Sequence, residues 1–377
     1  MAWWLREFEL DPALIYLNHA GVAPWPRRTR EAVERFAREN ATRGAQDYPA
    51  WLERERELRE RLRRLIGADR AEEIALVKNT SEAISFVAFG LRWREGENVV
   101  ITDEEFPSNR IPWEAAASRF GLEVRIAKLR AHQPAEEAIF QLVDRKTRLV
   151  AVSSVQYATG RRMDLERIGA FCRKRGILFS VDAIQSLGAL RFDVGRFGTD
   201  FVMADGHKWL LGPEGIGLFW VRPEMLDRLQ LFEYGWHMVE GAGDYERPHW
   251  EIARTARRFE CGSPNALGIA ALNASLSLLE EVGSETVERR VLEHARRIRR
   301  FLLNHPGLEC LTPEAHGGIV TFRPRSGSAA SLYRKLRELG VVCALRGGGI
   351  RFSPHFYLTE EQIETALMLV DRLLAGP

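Results

Sequence analysis

Short apolar runs alternate with helical stretches between about residues 74 and 222. Runs rich in β-branched and aromatic residues lie at 74–78, 97–102, 122–129, 148–155, 176–183, 199–205 and 215–222. Stretches with helical periodicity, such as 80–91 and 165–176, separate several of them. Nearly continuous apolar strands between helices are typical of a parallel sheet covered on both faces. The pattern predicts an α/β fold with a mainly parallel seven-stranded sheet between helices, and such sheets bind ligands at the carboxyl ends of their strands.

The pattern changes after about residue 265. Two long helical stretches are followed by a strand at 317–324, a helix at 328–340, strands near 341–345 and 349–353, and a last helix at 359–376. A chain of 377 residues also exceeds what one hydrophobic core usually supports. We therefore predict a large domain over 15–264 and a smaller α+β C-terminal domain over 265–377, which the N-terminal segment 1–14 joins.

Composition and charge are those of an ordinary globular protein. Hydrophobic residues make up 45% of the chain, charged residues 28%, and the net charge is +2. The densest basic stretch, 53–67, interleaves Glu with Arg at helical spacing, which favours an exposed helix with ion pairs over a nucleic-acid or membrane surface. The four cysteines lack C-x-x-C spacing, and the sequence shows neither a basic-then-apolar leader nor a membrane-length apolar run. We expect a cytoplasmic protein with no nucleic-acid or membrane partner.

Lysine is rare in this chain, and one lysine has an apolar setting. Lys and Arg together number 54, but the lysines are only Lys78, Lys128, Lys146, Lys174, Lys208 and Lys335. Lys208 lies in "ADGHKWLLG" at 204–212. Arginine stays protonated, whereas a desolvated lysine can lose its proton and attack a carbonyl. Lys208 is therefore a candidate nucleophile, although a lysine with a packed stem and a hydrated ammonium group would also fit this stretch.

Polar residues also stand where two other predicted strands end. Asp182 ends the run 176–183 and Gln185 follows it; a buried acid there needs a cationic partner or caps a helix. In "KNTSEA" at 78–83, Thr80 or Ser81 begins a helix, and these residues either help to bind an anion or simply cap that helix. A helix start for a phosphate, an Asp for a ring nitrogen and a Lys for an aldehyde are together what pyridoxal 5′-phosphate (PLP) requires.

With these motifs in place, the chain resembles the aminotransferase class V family of fold-type I PLP-dependent enzymes. That group contains cysteine desulfurases, kynureninase and isopenicillin N epimerase-like proteins. The resemblance runs from "YLNHAGVAPWP" at 16–26 to "RFSPHFYLTEEQI" at 351–363. It implies the PLP-dependent transferase fold of type I and PLP as the cofactor. It also implies that Lys208 is the catalytic residue, which forms a Schiff base with the cofactor aldehyde.

The resemblance further implies which residues contact the cofactor. Asp182 would pair with the ring nitrogen, Gln185 would contact the ring hydroxyl, and Gln156 in "VQYATG" would lie under the ring. Thr80, Ser81 and His207 would lie near the phosphate. Ser263 in "FECGSPN" would reach the phosphate of the neighbouring subunit, which implies a homodimer with its sites at the subunit interface.

The substrate side of the site is implied in the same way. Arg351 in "GGIRFSPHFY" stands where the family binds the α-carboxylate of an amino acid, and a bidentate guanidinium suits that group. Arg346 is a second candidate, and an exposed arginine in a turn is an equally good interpretation of it. Asn18, in the motif at 16–26, is a third substrate-binding candidate.

Three departures from the family pattern affect the predicted chemistry. Phe106 stands where desulfurases usually carry a histidine over the ring, and Phe can stack but cannot titrate. The desulfurase loop with its nucleophilic cysteine is missing, because "VVCALRGGGIRFS" runs directly from one strand to the next. Asp205 replaces a Ser or Thr that often helps to bind phosphate, and an acid there would repel phosphate. We therefore expect no efficient transfer of sulfur through an enzyme thiol.

The resulting prediction is a PLP-dependent enzyme that acts on the Cα of an amino acid through Schiff-base exchange. An aminotransferase of class V is the first hypothesis. A lyase that acts by C–S cleavage or β-elimination, or an epimerase, is the alternative, and a PLP-binding protein without turnover is a further one that Lys208 and Arg351 disfavour. A nicotinamide site is not expected, since "GPEGIG" at 212–217 lacks the G-x-G-x-x-G spacing and precedes a strand.

Overall fold

A computed structural model describes residues 2–246 and 248–375 of the chain. The strands in this part of the chain belong to three sheets. In chain order they are β1 (Ile15–Tyr16), β2 (Ile74–Val77), β3 (Asn98–Thr102), β4 (Glu123–Ala127), β5 (Thr147–Ser153), β6 (Leu178–Asp182), β7 (Phe201–Asp205), β8 (Gly217–Val221), β9 (Leu308–Cys310), β10 (Val320–Pro324), β11 (Val341–Val342), β12 (Ala344–Arg346) and β13 (Gly349–Phe352).

The α-helices lie between and after these strands. They are α1 (Arg27–Arg43), α2 (Tyr48–Ile66), α3 (Thr80–Gly90), α4 (Ile111–Phe120), α5 (Glu137–Phe140), α6 (Leu165–Arg175), α7 (Val194–Phe197), α8 (Ala266–Val282), α9 (Ser284–Asn304), α10 (Ala329–Glu338) and α11 (Glu360–Ala375). Several begin at an Asn or Asp side chain that accepts a free N–H of the first turn, as Asn79 does for α3 and Asp164 for α6.

The central sheet has seven strands in the order β2-β8-β7-β6-β5-β3-β4. Only β8 runs against its neighbours, so six strands end at the same edge of the sheet. Successive residues alternate between two apolar layers: Val100 belongs to the layer that includes α6, whereas Val99 and Ile101 belong to the layer that includes α3 and α4. The predicted mainly parallel seven-stranded sheet between helices is confirmed.

The C-terminal part contains a second, antiparallel sheet in the order β12-β13-β10-β9. Helices α9, α10 and α11 pack on it, which confirms the smaller α+β unit. Strand β1 pairs with β11 of this unit, with Ile15 opposite Val341, while the joining of segment 1–14 to it stays a prediction. Helix α8 packs against α1 and α2, and the division of the chain at 264/265 stays a prediction.

Within the described residues, no single helix is long and apolar enough to cross a membrane; α8 and α9 together satisfy length and composition only as a pair bent by 85°.

Candidate active site at the carboxyl ends of the central strands

Three neighbouring strands bring the predicted site residues to one edge of the sheet. β6 ends at Asp182, β7 ends at Asp205, and the turn after β7 carries His207 and Lys208. Gln156 follows the end of β5, which lies on the other side of β6. Because parallel strands meet at their carboxyl ends, residues far apart in the sequence share one pocket.

Lys208 and Asp182 form the buried, oppositely charged centre of this pocket. Their exposed fractions are 8% for Lys208 and 3% for Asp182. Burial lowers the pKa of the Lys208 amine to about 8, although the negative charge of Asp182 acts in the opposite direction. Burial likewise raises the pKa of Asp182 to about 7, against the stabilising effects of the Ile184 N–H and of Lys208. Lys208 is therefore a buried amine that can lose its proton near neutral pH, and not a surface lysine.

The structure also decides what Asp182 does locally. Its Oδ1 accepts the N–H of Ile184 at 3.0 Å, which is an Asx turn. The following residues form turns and no helix begins there, so Asp182 is not a helix N-cap. An acid held at the end of a buried strand remains available to a cationic or N–H partner.

The aromatic ring of Phe106 borders the Lys208 side chain. The Nζ atom of Lys208 lies 5.5 Å from the centre of the Phe106 ring. Phe106 packs edge-on against Tyr157 with ring centres 5.1 Å apart, and 38% of its surface is exposed. Phe106 can thus offer a face to a planar ligand, but it cannot exchange protons with one.

The side-chain amides of Gln156 and Gln185 form most of their hydrogen bonds within the protein. The Gln156 amide donates to Thr102 Oγ1 and Glu105 Oε1, both at 3.1 Å, while its buried Oε1 has no partner among the described residues. Gln185 Oε1 accepts the indole N–H of Trp209 at 2.9 Å, and its amide donates to the Ala20 carbonyl at 3.2 Å. One amide hydrogen of Gln185 remains for a ligand, and its contact to a ring hydroxyl stays a prediction.

Glu105 is a buried acid that sequence reasoning missed. It accepts hydrogen bonds from the hydroxyl of Thr102 at 2.7 Å, the amide of Asn109 at 2.9 Å and the N–H of Ser153 at 3.0 Å. With the Gln156 amide these donors compensate its burial. Glu105 therefore connects the end of β3 to the end of β5 beside the pocket. No local sequence pattern predicts this role.

The start of α3 offers donors to an anion. Asn79 is the N-cap, since its side chain accepts the N–H of Glu82 at 2.9 Å, so neither Thr80 nor Ser81 serves as the cap. The buried Thr80 hydroxyl has no partner among the described residues, while Ser81 Oγ donates to Ser108 Oγ at 2.8 Å. The first N–H groups of a helix also lack intrahelical partners. Thr80 and this helix start can therefore bind a phosphate.

His207 and Asp205 lie next to each other at the end of β7. His207 Nδ1 is 3.0 Å from Asp205 Oδ1, yet neither buried atom makes a well-directed hydrogen bond in the described part of the chain. An Asp beside the imidazole can orient the ring, which gives Asp205 a role other than contact with a phosphate. Ser263 is exposed in the segment before α8, and its contact to a neighbouring subunit stays a prediction.

Arg351 is a buried guanidinium with only part of its N–H groups hydrogen-bonded. Its Nη1 donates to the Tyr157 carbonyl at 2.9 Å and its Nη2 to Asn18 Oδ1 at 3.3 Å, whereas Nε has no partner among the described residues. Burial, together with the positive charge of Arg346, lowers the pKa of Arg351 to about 10. The fork formed by Nε and Nη2 has the geometry that a carboxylate needs.

The two other substrate candidates differ in placement. Asn18 touches Arg351 directly, and its side chain packs so closely on Gly21 that an added Cβ would lie 2.7 Å away. Arg346 is exposed and donates to the carbonyl of Leu345. Its strand pairs with β13 so that Ala344 faces Arg351, which leaves Arg346 two residues further along the same face.

These observations test whether PLP fits the pocket. Buried polar atoms that lack a partner occur on Thr80, Gln156, His207 and Arg351, and each such atom costs free energy unless a ligand or water satisfies it. The helix start suits a phosphate, Asp182 a protonated ring nitrogen, and the uncharged Lys208 amine an aldehyde. The residues present fit the cofactor.

Comparisons with known proteins show which family the sequence matches. The aminotransferase class V family matches residues 15–365. A probable cysteine desulfurase of Methanothermobacter thermautotrophicus is 30% identical over 95% of this chain and 94% of its own length. The isopenicillin N epimerase of Streptomyces clavuligerus is 33% identical over 97% of this chain and 96% of its own length.

Solved structures give the same likeness. The complex of the cystine C–S lyase C-DES with its product cysteine persulfide has a TM-score of 0.88 at 26% identity, over 95% of this chain and 97% of that one. The cysteine desulfurase of Thermococcus onnurineus NA1 has a TM-score of 0.84 at 26% identity, over 97% of this chain and 95% of that one.

Proposed function

This chain belongs to the aminotransferase class V family of PLP-dependent enzymes, and we propose that Lys208 carries the cofactor and removes a proton from the Cα of an amino-acid substrate. The observation that supports this most directly is the buried pair of Lys208 and Asp182, in which burial lowers the pKa of the amine to about 8. A lysine in that range can be uncharged when it meets an aldehyde, and can later serve as a base.

Different residues would bind the phosphate and the ring of PLP. The start of α3 with Thr80 and Ser81, together with His207, would bind the phosphate. Asp182 would pair with the ring nitrogen, and Gln156, Gln185 and Phe106 would contact the ring. When it is bound in this way, PLP withdraws electrons from the substrate Cα so that a bond to that carbon can break.

Arg351 binds the substrate α-carboxylate through its Nε and Nη2 edge. The guanidinium is held in place by the Tyr157 carbonyl and Asn18, so it is oriented before the substrate arrives. Asn18 therefore supports the carboxylate site, and Arg346 adds positive charge nearby. A substrate held there places its amino group and Cα on the side of the pocket that Lys208 occupies.

The class of reaction after proton removal is chosen by side chains around the substrate, not by fold or cofactor. Amino transfer is the first candidate. Cleavage of a C–S bond by β-elimination is the second, and the likeness to a C–S lyase favours it. Epimerisation at Cα is a third, because a relative at 33% identity is an epimerase.

The proposed assembly is a cytoplasmic homodimer. Exposed Ser263, with its family counterpart at a neighbouring cofactor, supports a site completed across the interface. Sedimentation at falling protein concentration tests this: we expect dissociation to weaken cofactor binding, and a stable monomer that retains its cofactor would contradict the proposal.

The experiment that tests the function is a survey of amino acids. The purified yellow protein is mixed with each amino acid in turn, while the cofactor absorbance and the released products are followed together. A keto acid indicates amino transfer, ammonia with sulfide or persulfide indicates β-elimination, and a change of optical rotation alone indicates epimerisation. If no amino acid changes the absorbance, action on amino acids is wrong.

A further inference from the structure

The turn that carries Lys208 has a strained backbone. Leu211 has a φ of 60° and is the one non-glycine residue with positive φ in the described part of the chain. A side chain in this left-handed region costs free energy, and such conformations persist only where the surroundings hold them. Leu211 is buried, and its N–H donates to the Lys208 carbonyl at 3.0 Å.

Groups from distant parts of the chain hold this turn. Ser275 Oγ on α8 donates to the Leu211 carbonyl at 2.8 Å. The N–H of Ala23 donates to the His207 carbonyl at 2.8 Å, and the indole of Trp25 donates to the Gly212 carbonyl at 3.2 Å. Several contacts from outside the turn therefore hold its strained backbone in place, which is the condition under which such a conformation persists.

His355 contacts the backbone of the turn one residue after the lysine. Its Nε2 lies 3.0 Å from the carbonyl oxygen of Trp209, the residue after Lys208. Its Nδ1 accepts the N–H of Phe356 at 2.8 Å, which places the ring proton on Nε2 and makes His355 the donor to Trp209. Burial lowers the pKa of His355 to about 4, so the ring is neutral and this tautomer persists.

The backbone at Gly188 also packs closely against the Trp209 carbonyl. A Cβ on Gly188 would lie 2.2 Å from that oxygen, so a side chain there would displace it. The indole of Trp209 is bonded to Gln185, as described above. The carbonyl thus has a close backbone neighbour and one side-chain donor, His355.

The segment that presents His355 begins at the proposed carboxylate site. Arg351 lies four residues before His355, and β13 ends at Phe352 between them. His19 anchors this segment, because its Nδ1 donates to the Ser353 carbonyl at 2.8 Å and its Nε2 accepts the Tyr357 hydroxyl at 2.7 Å. One buried segment therefore joins Arg351 to the backbone beside Lys208.

We propose that His355 is a positioning residue, whose Nε2–H holds the Trp209 carbonyl and thereby fixes the Lys208 amine inside its pocket. The proposal rests on the role of Lys208 given above. If the bond is lost, the turn relaxes, Lys208 gains contact with water, and its pKa rises toward the ordinary value of 10.5.

Two matched substitutions separate this bond from the general packing of His355. Asn at this position keeps an acceptor for the Phe356 N–H but is too short to reach Trp209. Gln places an amide donor near the position of Nε2 and gives up the bond to Phe356. His305→Asn is the control, since it makes the same replacement at a histidine whose ring contacts Gly307 and Asp371 and not the turn.

The readout is the reactivity of Lys208 itself. Full-length protein freed of cofactor is acylated with acetic anhydride across a pH series, and peptide mapping gives the labelling midpoint of Lys208. We expect the midpoint in His355→Asn to rise by about one pH unit, and in His355→Gln and His305→Asn to stay within about 0.3 of the parent. In the holoenzymes, the pH dependence of the visible absorbance should shift in the same order.

An unchanged midpoint in folded His355→Asn overturns the proposal, and so does an equal rise in both His355 variants, which would indicate packing alone. Thermal unfolding establishes that each variant is folded. If His355→Asn does not fold, Ser275→Ala removes another side-chain donor to the turn, and an unchanged midpoint there contradicts a clamped lysine. Cofactor attached to another lysine would instead end the proposed function, so the two failures are distinguishable.

Discussion

The amine of Lys208 lies 5.5 Å from the centre of the Phe106 ring, and a phenyl ring cannot exchange protons with a substrate. In the proposed mechanism, proton transfers at the substrate therefore fall to Lys208. A thiol relay would need a reactive cysteine as well, and burial raises the pKa of both Cys172 and Cys343 to about 12.

The first prediction is that L-cysteine leaves no persulfide on Cys343. Its thiol is buried beside β12 and stays protonated at neutral pH, so it cannot attack a substrate sulfur. Mass mapping after incubation with L-cysteine should find Cys343 unmodified, and any sulfide release should be equal in Cys343→Ala. Robust turnover that Cys343→Ala abolishes would show that an enzyme thiol takes part.

The second prediction concerns Asp182 as the partner of the ring nitrogen. Asp182→Asn removes the charge that keeps this nitrogen protonated, so exchange of the substrate Cα proton should slow by orders of magnitude while cofactor still binds. Exchange into deuterated water, followed by NMR, measures this. Asp193→Asn is the matched control, because Asn still caps α7 at an exposed position. An unchanged exchange rate in Asp182→Asn would remove Asp182 from this role.

The third prediction is a pH dependence of stability in the cofactor-free protein. Burial raises the pKa of Asp182 from 3.8 to about 7, so the folded protein holds this proton more tightly than the unfolded chain. Between those values unfolding releases a proton, and the unfolding free energy falls as pH rises, by at most about 1.4 kcal/mol per pH unit. Urea unfolding should show that Asp182→Asn lacks this fall. Parallel curves for the two proteins would contradict the shifted pKa.

The fourth prediction separates the two arginines. Arg351→Gln should weaken amino-acid binding by about 2–5 kcal/mol, because a buried carboxylate would lose its bidentate partner. Arg346 is exposed, so Arg346→Gln should cost less, about 1 kcal/mol or below. Titration of cofactor absorbance with amino acid gives both affinities. A larger loss in Arg346→Gln would transfer the carboxylate site to Arg346.

The sheet could be predicted from sequence because most of its strands, though not the edge strand β4, are buried on both faces. Val99 and Val100 face opposite apolar layers, and an uninterrupted apolar run is the direct record of such a strand. The placement of Asp182 and Lys208 at one edge follows from the parallel topology alone. The start of α3 was predicted at Thr80 or Ser81, with Asn79 as the cap in the structure.

The supporting contacts could not be predicted, because they join residues that are distant in sequence. Glu105 is satisfied by Ser153, 48 residues away, and neither residue belongs to a recognisable pattern. The left-handed Leu211 has no local cause, since leucine disfavours that conformation and contacts from distant residues such as Ser275 and His355 hold the turn. Local propensity and periodicity carry no information on such contacts.

The attachment of the cofactor tests the central claim most directly. Borohydride reduction of the yellow protein, followed by peptide mapping, should place the pyridoxyl group on Lys208 in the peptide that contains "DGHKW". Lys208→Ala should bind cofactor without any borohydride-stable attachment to the chain. A pyridoxyl group found on any of the other lysines would contradict the account.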